Sequence, residues 1–284
     1  MKLRKVEEHV FLFLMRLSAL LIGFALLAII WSIFSNGLGS LNWQMISEVP
    51  KGGYYFGKEG GILNAIIGSL YLSLGATVLA LVIGLPIALF INIHLSKRRR
   101  LVNVVRLILD ILWGVPSIVY GAFGFTVMIF FGVKTSLMAG IIVITALILP
   151  IMIRSLDEVF KEVPMGLKEA SYSLGSTKSE TAYKVYVRQC VPGLVTAVLL
   201  SLGRGIGDAA SVLFTSGYTD NIPTALDQPA ATLPLAIFFQ LGSPIPEVQN
   251  RAYAAAAVLT IIILVISILA RIVGNKYQKN KIKA

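Results

Sequence analysis

Charge is scarce in this chain. Asp, Glu, Lys and Arg together make up 14% of the 284 residues, against 56% hydrophobic, too little polar surface to cover a water-soluble globule. The same figures exclude a disordered chain, because so apolar a sequence has ample surface to bury. The single cysteine, Cys190, has no internal disulfide partner. Neither it nor the two histidines, His9 and His94, has neighbours at a metal-ligand spacing, so no metal site is expected. No Gly-rich loop ends in Lys-Ser or Lys-Thr, so this chain does not hydrolyse ATP by the P-loop route. There is no Ser-His-Asp or Cys-His set either, which argues against an enzyme, soluble or membrane-embedded. The bilayer is the remaining solvent.

A helix crosses roughly 30 Å of hydrocarbon with about 20 apolar residues. Six segments qualify: 17–34, part of 62–96, 106–131, 135–153, 191–216 and 252–270. The expected fold class is an all-α integral membrane protein with six transmembrane helices. The first span follows Lys2, Arg4 and Lys5 and is closed by no small-residue cleavage site, so it reads as an anchor and not a removable signal. A further uncharged stretch, 228–246, is interrupted by Pro229, Pro234, Pro244 and Pro246 and is too short to span. It reads as an interfacial or re-entrant element and a plausible lid for a pathway.

The net charge of +11 would suggest nucleic acid in a soluble chain; here its distribution gives orientation instead, and no nucleic-acid partner is expected. Basic residues cluster at the N-terminus, at 97–106, at 154–190 and in the tail, nineteen in all, whereas Lys51, Lys58, Lys134 and Arg251 alone fall in the alternate loops. Positive charge stays cytoplasmic, so both termini are expected there. The expected organisation is a cytoplasmic N-terminus at 1–16, a permease domain at 17–273 in contact with membrane lipid, and a basic cytoplasmic tail at 274–284. Within the domain lie a cytoplasmic loop at 154–190 and an external loop at 217–251.

The cytoplasmic loop is long for a simple reversal. Leu156, Val159, Phe160 and Val163 recur at helical spacing. Pro164 can open a helix over 167–174, Gly175 can turn it, and 179–187 can form a second helix. From periodicity alone the loop is either a surface helix that joins two spans or a functional helix-turn-helix.

Glu169-Ala170-Ser171, followed by Gly175 and by Pro192, resembles the Glu-Ala-Ala loop of ABC importer permeases, with Ser171 in place of the second Ala. Three further stretches are similar to the phosphate-importer permeases of the PstA type. They are Gly203-Arg204-Gly205-Ile206-Gly207-Asp208 with Leu213-Phe214-Thr215-Ser216-Gly217, Ala231-Thr232-Leu233-Pro234-Leu235-Ala236-Ile237, and Gly114-Val115-Pro116-Ser117-Ile118-Val119-Tyr120-Gly121. That family usually has Glu where this chain has Asp208. The resemblance implies the type I ABC importer permease fold in the inner membrane, with a coupling loop that docks in a separate ATPase. Glu169 would anchor that loop and Gly175 would turn it. It implies as partners a second, homologous permease, a homodimeric ATPase carrying ATP and Mg, and an external phosphate-binding protein. No cofactor is expected in this chain itself.

Arg204 and Asp208 fall inside the fifth apolar run, where an ionised side chain costs roughly 2.5–3.5 kcal/mol and is by default functional. At i,i+4 the two can neutralise one another. Alternatively Arg204 lines a phosphate path, its planar guanidinium matching two phosphate oxygens, and Asp208 accepts a hydrogen bond from a phosphate proton. Gly203 and Gly207 flank the pair at a spacing that lets helices approach closely. Asp110 is expected to pair with Arg106 at the cytoplasmic edge. The rival readings are a permease for another oxyanion (sulfate, molybdate or phosphonate) and an ion-gradient secondary transporter. The latter often shows a repeated half, and none is visible here.

Overall fold

A computed structural model describes residues 2–51, 59–96 and 98–278. Lys58, Lys97 and the tail from 279 onward, all counted in the charge distribution, lie outside the described residues. Apart from one antiparallel bridge between Pro50 and Gly60, the described secondary structure is helical. In chain order the helices are α1 (Lys2–Gly37), α2 (Trp43–Ser47), α3 (Leu63–Leu89), α4 (Arg99–Gly114), α5 (Ser117–Phe130), α6 (Leu137–Lys161), α7 (Met165–Ser173), α8 (Lys178–Glu180), α9 (Arg188–Ile206), α10 (Leu233–Leu241) and α11 (Pro246–Gln278). Two wide π-type turns extend them: Phe90–His94 continues α3, and Thr181–Val187 joins α8 to α9.

Five helical runs are long and apolar enough to cross a membrane: Glu7–Ser40, Leu63–His94, Leu137–Lys161, Lys178–Ile206 and Pro246–Gly274. A bent pair brings the candidates among the described residues to six when it is counted as one span. α4 and α5 meet at 93°, so the straight helix expected over 106–131 is corrected to two legs. Pro116 has no N–H to donate and drives Val115 into extended backbone at φ −70°, ψ 129°. α4 is amphipathic: Leu101, Val104, Leu107, Ile108 and Ile111 are exposed while Val102 and Leu109 are buried, the pattern of a helix lying in the membrane interface.

The fifth crossing also departs from expectation. α9 stops at Ile206, ten residues before the end of the apolar run, and residues 207–232 are non-helical. Three glycines within five residues (203, 205 and 207) weaken the helix there. At its N-terminal end, α9 continues the second loop helix through the π-type turn, so the loop and the span are one element.

α3 and α6 form the centre. The buried face of α3 is mostly small: Ala65, Gly68, Ser69, Ser73, Ala76, Thr77, Ala80, Gly84 and Ala88, with Asn64, Leu72 and Leu89 the larger residues. Lipid tails are as apolar as Leu, so helices gain little from hiding apolar surface in a bilayer and rely on close packing and interhelical hydrogen bonds. Thr145 Oγ1 of α6 donates to Ala76 O at 3.4 Å, and Ser69 Oγ accepts from Leu233 N at 2.8 Å.

The stretch at 228–246 holds the nine-residue helix α10, too short to span a membrane. α10 buries Leu233, Pro234, Leu235, Ala236 and Gln240 against α11 and α3. The non-helical backbone before it is buried too, with Ser211, Val212, Thr215, Ser216, Ala230 and Ala231 fully covered. Irregular backbone at membrane depth requires such cover. Its carbonyls accept from the start of α6, with Ser136 N to Thr215 O at 3.0 Å, Leu137 N to Gln228 O at 2.7 Å and Met138 N to Leu226 O at 2.8 Å. These bonds satisfy amides that a helix N-terminus otherwise leaves open.

Gly68 marks the closest approach of α3 to this segment: a Cβ there would stand 2.0 Å from Ala231 O. Gly68→Ala is expected to destabilise the detergent-solubilised protein by about 1–3 kcal/mol, read as a fall in melting temperature. Gly23→Ala, where nothing lies within 4 Å, is the control and should leave it unchanged or slightly higher. Equal melting temperatures for the two variants would contradict the packing described.

Candidate functional site

The charged pair expected in the fifth span is formed, in a different setting. Arg204 lies in the last turn of α9 and not at mid-helix, where a cation is favoured by the helix dipole. Its guanidinium meets Asp208 Oδ1 at 3.2 Å, with the Arg side chain 45% exposed and the Asp 4%. Asp208 lies beyond the helix end, and its second oxygen accepts from Ser211 N at 2.9 Å. That bond offers the chain a turn in place of further helix. The carboxylate therefore points into the protein, holding Arg204 and closing the turn, and the accessible charge of the pair is the guanidinium. Gly203 and Gly207 do not make the close helix contact expected within this chain: nothing lies within 4 Å of a Cβ at Gly203, and Gly207 has only ordinary contacts. Gly205 makes it instead: a Cβ there would stand 3.2 Å from Ile144 Cγ2. Arg204 is thus itself exposed, one helical turn from exposed Leu200.

The loop at 154–190 is ordered by local chemistry. α7 spans the stretch that includes Glu169, Ala170 and Ser171. Gly175, at φ +82°, occupies the left-handed region that favours glycine and lets Ser176 N reach back to Ser171 O at 3.2 Å. Ser171 is buried, its hydroxyl 2.9 Å from that of Thr181, which ties α7 to the next helix. Thr177 and Glu180 then form a reciprocal cap, with Thr177 Oγ1 accepting from Glu180 N and Glu180 accepting from Thr177 N. Glu169 and Ala170 are exposed, and the ends of α7 present Met165 at 68% and Leu174 at 86% exposure. From Lys178 to Ile206 every residue is helical, so α7 and Arg204 lie at opposite ends of one run. At 1.5 Å per residue it measures about 43 Å.

A second charged cluster escaped the sequence reading. Asp157 of α6 is fully buried and engages Arg106 Nε and Nη2 at 2.9 Å each, Arg154 at 3.0 Å, Lys161 at 3.2 Å and the Asn92 amide at 2.9 Å. Arg106 is thus taken by Asp157 and not by Asp110, which pairs with Arg154 at 2.8 Å. The i−3 and i+4 cations around Asp157 were visible as spacing. The partners from α4 and the π-type turn were not, because tertiary packing supplies them. The cluster fastens three elements at the base of the bundle. Among the described residues no group of His, Cys, Asp and Glu is placed to hold a metal.

Residues 80–279 match the family model described as binding-protein-dependent transport system inner membrane component. The chain belongs to that family. It is therefore a multi-pass membrane permease. The phosphate transport system permease protein PstA of Yersinia pestis is 36% identical over 259 residues, spanning 89% of this chain and 86% of that protein. The PstA protein of Pasteurella multocida is 32% identical over 275 residues and covers 95% of each. A probable ABC transporter permease of Bacillus subtilis, YqgI, is 27% identical over 97% of this chain and 98% of its own. An inward-facing MetNI methionine ABC transporter structure aligns at TM-score 0.62 and 23% identity, covering 75% of this chain and 94% of that one. The fold is that of a type I ABC importer permease.

Removing the Asp157 carboxylate leaves several cations at the base of the bundle without their shared partner. Asp157→Asn is expected to cost about 1–3 kcal/mol in thermal unfolding, less than a fully buried pair because the cations are partly solvated. Combined with Arg106→Gln, the loss should be smaller than the sum of the single losses. Additive losses would show that the two groups are not coupled.

Proposed function

We propose that this chain is the transmembrane permease subunit of an ATP-driven phosphate importer of the bacterial inner membrane, with both termini cytoplasmic. It forms the pathway with a second, homologous permease. A homodimeric ATPase subunit binds ATP and Mg, and an external phosphate-binding protein delivers the substrate. This chain carries no cofactor and catalyses no reaction of its own. Support comes from membership of the family and from the PstA relatives at 36% and 32% identity. The observation that carries the reading is the single helical run that joins the coupling loop to Arg204.

The mechanism follows from that geometry. The exposed end of α7, with Met165, Glu169 and Leu174, seats in the ATPase, and Gly175 sets its angle. ATP-driven closure of the ATPase moves α7, and the hydroxyl link from Ser171 to Thr181 passes the motion to the base of the Lys178–Ile206 run. A helix transmits displacement along its axis with little loss, so the far end moves with it. There Arg204, held from behind by Asp208, offers a permanently charged planar fork to the oxygens of phosphate. One accessible cation suits passage: several would hold the anion, and conduction needs a site weak enough to leave. The open face around Arg204, with Gly203 and Gly207, is where the second permease completes the path.

The test is uptake of labelled phosphate into liposomes that hold the assembled complex, with the binding protein outside, with and without internal ATP. Uptake is expected to require ATP and to resist competition by sulfate. Arg204→Ala should lower it at least about tenfold while the complex still assembles, and Leu174→Asp should lower co-purification of the ATPase. ATP-independent uptake would overturn the importer reading, ATP-dependent sulfate uptake would overturn the substrate, and unchanged uptake by Arg204→Ala would remove that residue from the path.

A further inference from the structure

A cavity of about 300 Å³ opens at the base of the bundle between the Phe90–His94 turn and α4, lined by Asn92, Ser96, Arg99, Asn103 and Arg106 among others. Its polar lining is built for an anion. Arg99 and Arg106 bring two guanidinium groups and Asn103 brings an amide donor, while the Asn92 amide is spent on Ala88 O and Asp157 and the Ser96 hydroxyl on Ile93 O. Neither carboxylate of the nearby cluster lines it: Asp157 is fully buried behind Arg106, and Asp110 is held by Arg154. Arg106 spends only Nε and Nη2 on Asp157, which fixes the plane of its guanidinium and leaves Nη1 to the cavity it lines. Such a held, half-committed arginine is better prepared for a ligand than a free one, because less rotamer entropy is lost on binding.

The surroundings point to where the anion comes from. α4, which carries four of the lining residues, exposes Leu101, Val104, Leu107, Ile108 and Ile111 on its apolar face. That face lies in the hydrocarbon when the basic side of the chain lies in the headgroup layer, which puts the cavity at headgroup depth. Basic pockets at the cytoplasmic edge of membrane helices take phosphate headgroups. The cavity is also tied to the coupling loop, since Lys168 of α7 reaches Ser96 Oγ at 3.3 Å.

We propose that this cavity is a second anion site, distinct from Arg204, that binds a phosphate group at the cytoplasmic face: the headgroup of an anionic phospholipid or inorganic phosphate released inside. The occupant's oxygens take the guanidinium of Arg99 and Arg106 and the amide of Asn103. An anion there also neutralises the basic cluster at the base of α4 and steadies Ser96, which Lys168 of α7 contacts. The site goes beyond the import reading and does not rest on its substrate.

Native mass spectrometry of the purified complex tests it, with short-chain phosphatidylglycerol titrated against phosphatidylcholine as control, and inorganic phosphate added as a displacer. Retention of phosphatidylglycerol but not phosphatidylcholine, weakened about tenfold by Arg99→Gln, is the expected result for a headgroup site. Displacement of that lipid by millimolar phosphate, with the same dependence on Arg99, would assign the site to free phosphate as well. Arg106 also holds Asp157, so Asn103→Leu serves as the second variant and should weaken retention without loss of fold. Equal retention of both lipids, or retention that neither Arg99→Gln nor Asn103→Leu alters, would overturn the proposal. An import defect would not produce either result, so failure here is separable from failure of the transport reading.

Discussion

The structure depends on how the non-helical residues 207–232, buried at Ser211, Val212, Thr215, Ser216 and Ala230 to Thr232, are held against the bundle. Backbone without regular hydrogen bonds is too costly at membrane depth unless protein covers it and supplies partners. Here the first amides of α6 supply them, donating to the carbonyls of Thr215, Leu226 and Gln228, and the small face of α3 lets the segment come close. Two otherwise unsatisfied sets, the open end of a helix and the carbonyls of a loop, are matched to each other. Because the loop is held, α9 can end early, and because α9 ends early, Arg204 sits at a helix terminus facing open space instead of in the middle of a packed span.

The end of the bundle that carries α7 follows the same economy of partners. Asp157 gathers cations from α4 and α6 and an amide from the π-type turn, while α7 is joined to its neighbours by a short turn, the Ser171–Thr181 hydroxyl contact and the bond from Lys168 to Ser96. A small element with exposed apolar ends, joined to a long helical run, is a handle on a lever. The basic cavity beside that handle lies where headgroups and released phosphate both reach it.

Much of this was legible beforehand. The paucity of charge gave the membrane, the charge-free runs gave the spans, and Pro164, Gly175 and the polar flanks gave α7 and its turn. The proline-broken stretch at 228–246 was legible as too short to span, and it holds only the nine residues of α10. What failed were features that local pattern cannot express. Pro116 sits inside an apolar run, and apolarity is the same for a straight helix as for a bend of 93°. The early end of α9 is closed by a local turn from Asp208 to Ser211 that apolarity does not express. Asp110 had an arginine four residues away, and spacing could not reveal that Asp157, 51 residues from Arg106 along the chain, would claim it. Gly205 won the close contact over Gly203 and Gly207 because of which face α6 meets.

The central claim is that the Lys178–Ile206 run carries motion from α7 to Arg204 as a rigid rod. Double electron-electron resonance between labels at Ser179→Cys and Leu200→Cys, with Cys190→Ser, in the assembled complex measures it directly. A rigid run gives one distance of about 31 Å from the helical rise, the same without nucleotide and with ATP bound. A shift of several ångströms, or two populations, would mean that the π-type turn bends and absorbs the stroke, and the account of coupling would fall.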